Sequence, residues 1–155
     1  MKANMTNNKG RRGNAIVEFG LFAPIMMVLV IYALDLGMYA YAFLSVENAA
    51  RAAALRNSSG VESATDQQTA CTMTLTALKG LPSMNSVTSC GGAPLTVTSE
   101  RCDSHTTCSV SAPSDATGST AVVSVTYRMP QLLRLPLGGT GDIRRVSQMK
   151  VGGAQ

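Results

Sequence analysis

"NAIVEFGLFAPIMMVLVIYALDLGMYAYAFLSVENAARAAA", residues 14–54, decides the architecture of this 155-residue chain. No charged residue occurs from Phe19 to Leu34. Ala15 to Leu34 is 20 residues, interrupted only by Glu18. At helical rise that length matches the roughly 30 Å hydrocarbon core of a bilayer. The run therefore reads as a membrane-crossing helix, with Asp35 at the far interface, where a carboxylate is tolerated. Pro24 lies inside it, and in lipid a proline kinks a helix without ending it. Beyond Asp35 the pattern becomes one-sided. Phe43, Val46, Ala49, Ala50, Ala53 and Ala54 gather on one helical face, with Glu47, Asn48 and Arg51 on the other. Glu47 and Arg51 form an i,i+4 pair in the favourable order. A single helix is expected from about residue 15 to 56, close to 60 Å long. Its second half is a stalk whose small residues invite close packing by an outer domain or a neighbouring helix.

The formal charge of +4 is concentrated at one end. Lys2, Lys9, Arg11 and Arg12 precede the apolar run, and the rest of the chain holds nine basic and nine acidic residues. A basic tail beside a hydrophobic segment is a topology signal rather than a nucleic-acid surface. It places the N-terminus in the cytoplasm and the C-terminal portion beyond the inner membrane of a bacterium, in the periplasm. The four cysteines, Cys71, Cys90, Cys102 and Cys108, all fall on that oxidising side, where two disulfides are expected and three pairings are open. Zinc is the competing reading, but no C-x2-C knuckle occurs; buried thiols are the plainer alternative.

About 100 residues remain for the outer portion, enough for a small core. "NSSG" (57–60) is its first breaker. Thr65 and Gln68 have capping-box spacing, and Gly80 with Pro82 make a stop. Ala70, Cys71, Met73, Leu75 and Leu78 between them predict a short helix. Alternation then takes over. "PLTVTSE" puts Leu95 and Val97 on one face, and "TCSVSA" (107–112) is β-like. "STAVVSVTYRMP" (119–130) is the strongest strand, with Val123, Val125 and Tyr127 together, and "RRVSQMKV" (144–151) adds another. Gly138, Gly139 and Gly141 lack the ending of a phosphate loop and read as turn residues. His105 is the lone histidine, in a polar loop, and no nucleophile, base or paired-carboxylate arrangement accompanies it. The expectation is no catalytic residue, no cofactor and no metal.

A secretory signal cut after "AYA" (40–42) competes with a retained anchor, but the apolar run is longer than a usual h-region and the helical pattern crosses the cut. Gly13, the Val17-Glu18-Phe19 triplet, Pro24, Asp35-Leu36-Gly37 and "NAARAAA" together resemble the TadE-like family, pseudopilins of the tight-adherence (Flp) pilus system. Looser similarity runs to the strand closing on Tyr127 and Pro130 and to "VSQMKV". The resemblance implies a pilin-like α+β fold in three parts. These are a basic leader (1–13), a transmembrane and stalk helix (14–56) and a small antiparallel-sheet periplasmic domain (57–155). It also implies a non-enzymatic assembly role and cutting after Gly13 by a prepilin peptidase, leaving Asn14 as the new terminus before Glu18 and Phe19. A glycine at the cut suits close approach of a protease. The new ammonium would lie near Glu18, making that carboxylate tolerable and orienting subunits. The implied partners are the inner membrane, other pilins and pseudopilins, the assembly platform and the peptidase, with no nucleic acid. The rival is an uncut single-pass anchor, or a secreted disulfide-stapled binding module unrelated to any filament, with Glu18 simply snorkelling.

Overall fold

The structure, a computed structural model, describes residues 12–103, 108, 119–130 and 141–152, with side chains from Ile16 onward. Its elements in chain order are α1 (Arg12–Asn57), a 3-10 turn (Ser63–Thr65), α2 (Gln67–Leu78), β1 (Gly91–Gly92), β2 (Leu95–Cys102), β3 (Thr120–Arg128) and β4 (Asp142–Lys150). The chain is therefore α+β: a long apolar N-terminal helix followed by a small antiparallel sheet. Two compact units divide after Gly37, the second beginning at Met38 within α1.

The first unit is helix alone among its described residues. Pro24 lies inside α1 without ending it. The helix that contains it, Ile16–Asn57, is long and apolar enough to cross a bilayer.

The second unit is built on an antiparallel meander in the order β1-β2-β3-β4. Partners across an antiparallel pair share a face, so the registers Leu95↔Tyr127, Val97↔Val125 and Tyr127↔Ile143 stack one apolar surface. Alanine, the best helix former, supplies the opposing layer. Ala42, Val46, Ala49, Ala50, Ala53 and Ala54 of α1 join that surface in a single buried cluster, together with Ala70, Cys71 and Leu78 of α2. The stripe expected on the stalk thus packs against its own domain. Methyl-sized side chains let a helix approach a sheet closely enough to fill the space between them. Glu47 and Arg51 pair on the opposite face.

Several local expectations are modified. α2 is capped by Asp66, not Thr65. The Asp66 carboxylate accepts from the Thr69 backbone N–H at 3.0 Å, while the Thr65 hydroxyl donates back to the Glu62 carbonyl within the preceding turn. The two adjacent capping residues compete, and the 3-10 turn that buries Ala64 awards Thr65 to itself. Met73 is exposed and belongs to the solvent face of α2. β3 is buried on both faces rather than one. Val122 packs with Cys102 and Cys108, and Ser124 accepts from Arg144 Nε at 3.3 Å. β1 has two glycines and no side-chain pattern to announce it. Gly141 takes φ 68° just before β4 and its carbonyl accepts from the Met129 N–H, a turn conformation glycine adopts without strain. Gly138, Gly139, His105 and all of "TCSVSA" except Cys108 lie outside the described residues.

Both disulfides are present, Cys71–Cys90 and Cys102–Cys108. The first ties α2 to the approach of β1 and lies in the main cluster. The second tethers the end of β2 beside Val122.

Candidate functional site

The first turns of α1 carry the sequence-derived site. Gly13 and Asn14 fall in its opening turn, and Glu18 and Phe19 follow, both exposed. Asn14 and Glu18 are four residues apart on a continuous helix, so their backbones lie about one turn apart, near 6 Å along the axis. The four residues expected at the processing site, Gly13, Asn14, Glu18 and Phe19, lie in two successive turns of α1. From there the helix is apolar on every side. Ile16, Val17, Phe19, Leu21, Phe22 and residues 25–30 are all exposed, and none of the most apolar window is buried within the protein. A helix that is hydrophobic all round needs an apolar solvent. At Gly20 and Gly37 an added Cβ would meet nothing within 4 Å, so neither glycine is required by packing.

No group of three or more His, Cys, Asp or Glu side chains stands close enough to hold a metal among the described residues. The four cysteine sulfurs are consumed in disulfides.

Polar chemistry in the second unit holds elements together. Asn57, at the end of α1, is fully buried and donates from Nδ2 to the Asp66 carbonyl (3.1 Å) and to Ser99 Oγ (2.7 Å). Ser99 Oγ donates in turn to the Ala64 carbonyl (2.9 Å), and the Ser99 N–H donates to Gln67 Oε1 (2.8 Å). Gln67 Nε2 closes the set by donating to the Val97 carbonyl. These bonds join the end of α1, the 3-10 turn, the start of α2 and the middle of β2. Sequence reading missed this node because Asn57 opens "NSSG", which has the composition of a loop. The Asp66 carboxyl is held below its ordinary value by the Thr69 hydroxyl and backbone N–H. Burial raises the Tyr127 phenol, whose hydroxyl donates to the Pro82 carbonyl at 2.5 Å. Arg145 stands opposite Val125, so it faces the helix layer, where its guanidinium lies 3.7 Å from the centroid of the Phe43 ring. Cation–π stacking is how an arginine at an inward position keeps a favourable neighbour.

None of these groups is arranged as a nucleophile with a base. The feature that distinguishes the molecule is the long helix α1, Arg12–Asn57. No curated protein and no solved structure matches the chain. The family described as TadE-like protein matches residues 13–55, the glycine–glutamate motif, the apolar run and the alanine stripe together. Through that segment the chain is similar to TadE-like proteins.

Proposed function

We propose that the chain is a minor pseudopilin or assembly factor of a tight-adherence (Flp) pilus, working by assembly rather than catalysis. The observation that carries this reading is one continuous helix holding the TadE-like match, the Gly13-x4-Glu18-Phe19 spacing and an all-round apolar surface. On this reading the basic leader stays in the cytoplasm, the helix crosses the inner membrane once and the disulfide-linked unit lies in the periplasm. A prepilin peptidase cuts after Gly13. The new Asn14 ammonium then lies one turn from Glu18, on the same subunit or a neighbour, and their pairing offsets the cost of a carboxylate at the membrane surface. The partners are other pilins, the inner-membrane platform and the peptidase.

Ala42 is buried in the core of the second unit, and α1 runs through it unbroken. This supports a retained helix over a secretory signal removed after Ala42. The test is the N-terminal mass of the protein taken from membranes of a strain carrying the whole pilus system. A start at Asn14 is expected. A start at Phe43 means a secreted module, and an intact Met1 means an uncut anchor; either would refute processing. Glu18→Gln separately tests the charge pairing, because assembly at the normal level would leave the carboxylate without that role.

A further inference from the structure

Three of the four tyrosines stand at 32, 39 and 41, all within α1, while the fourth, Tyr127, is sealed in the core. Tyr39 is 43% exposed and Tyr41 56%, although Ala42 immediately after them is closed off. No charged residue occurs between Asp35 and Glu47. An exposed helical turn without charge is unsuited to bulk water, and one bearing two phenols, on opposite sides of the helix, is unsuited to hydrocarbon. A ring with an apolar body and a polar tip fits the layer between them.

Depth along the helix points to the same place. With the apolar run ending at Leu34, the Tyr39 and Tyr41 backbones fall about 7 and 10 Å beyond it at helical rise. Side chains on a helix lean back over the preceding turn, by about 5 Å, which returns both rings to roughly 2–5 Å past the hydrocarbon edge. The headgroup layer is about 5–7 Å thick on each side of a bilayer.

We propose that Tyr39 and Tyr41 dock into the phospholipid headgroup layer at the C-terminal end of the span. Each ring lies against the first acyl carbons. The Tyr39 hydroxyl reaches the glycerol and phosphate oxygens. The Tyr41 hydroxyl stays at the membrane-facing edge of the protein beside Gly80, where an added Cβ would meet it at 3.8 Å. The proposal rests on the membrane-anchor reading and is independent of the pilus assignment.

The chain contains no tryptophan, so single replacements report depth without background. Full-length Tyr39→Trp and Tyr41→Trp variants are reconstituted into phosphatidylcholine vesicles brominated either near the carbonyl or near the methyl end of the acyl chains. Met27→Trp marks the middle of the hydrocarbon, and Leu55→Trp, at an exposed site in the second unit, marks water. Both tyrosine-site variants are expected to be quenched more by the shallow bromines than by the deep ones, with the opposite order for Met27→Trp. Leu55→Trp is expected to respond to neither. Tyrosine-site variants that behave like Leu55→Trp, or that share the depth of Met27→Trp, overturn the proposal. If Met27→Trp is also unquenched, the membrane anchor falls with it, whereas the N-terminal mass tests the pilus reading on its own.

Discussion

Along α1, Leu21, Met27 and Leu29 leave 68, 67 and 54% of their surface open, whereas Val46, Ala49 and Ala53 leave none. The more hydrophobic stretch thus buries nothing within the protein, and the stretch made mostly of methyl groups forms its core. The difference follows from the solvent each was selected for. Lipid already supplies apolar surroundings, so large side chains on every face gain nothing further by packing on the protein's own sheet. In water only one face can be hidden, and close approach to a twisted sheet favours side chains that take little room. Side-chain size and one-sidedness mark the protein-facing stretch better than hydrophobicity does.

The comparison breaks most readily at the core. Replacing Cys71 and Cys90 together by alanine frees a chain segment closed across a separation of 19 residues. The loss is expected near 3 kcal/mol, by loop-closure entropy. It is read as a lower denaturant midpoint in the near-ultraviolet signal of the full chain in detergent, with the helicity of the first unit retained. If both signals collapse together, the disulfide holds more of the chain than the second unit.

Ala53→Leu forces added volume between helix and sheet and is expected to cost about 1–3 kcal/mol by the same measurement. The matched change Leu29→Ala should leave that midpoint unmoved. Equal effects at 29 and 53 would erase the contrast.

Tyr127→Phe removes the bond to Pro82 and is expected to cost about 1 kcal/mol. Because burial raises the folded phenol above its ordinary 10.0, its stabilisation is complete below that value and is lost as pH rises through the folded one. The phenylalanine variant should therefore lose less stability than the parent in an alkaline titration. Asp66→Asn is the smallest effect and has the opposite sense. Its folded pKa lies below 3.8, so its contribution is present above about that pH and fades as pH falls further. The asparagine variant should show a flatter acid limb in the unfolding midpoint.

The span, the alanine stripe and the inward side of β3 were legible because each is a repeat of one residue type at a fixed period. Length identified the first, helical spacing the second and alternation the third. The disulfide pairing was not legible, since four cysteines permit three pairings and spacing does not choose among them. The second buried face of β3 escaped because Thr120 and Ser124 look solvent-facing until Cys102 and Arg144 cover them. Arg145 carried the outward signature of an arginine in a strand, and only the register with Val125 turns it inward. At the candidate site, the glycine–glutamate spacing was readable, as were the apolar faces that follow it. Asn57 was unreadable because its role depends on Ser99 and Asp66, which are remote from one another in sequence.

The alanine stripe also has a consequence for the time before the domain is complete. Val125, Tyr127 and Ile143, which cover it, are translated some 70 to 100 residues later. Until they follow, those residues leave the stripe uncovered. A row of methyl groups presents little for a stray chain to adhere to, so the nascent helix tolerates that interval better than one lined with leucine.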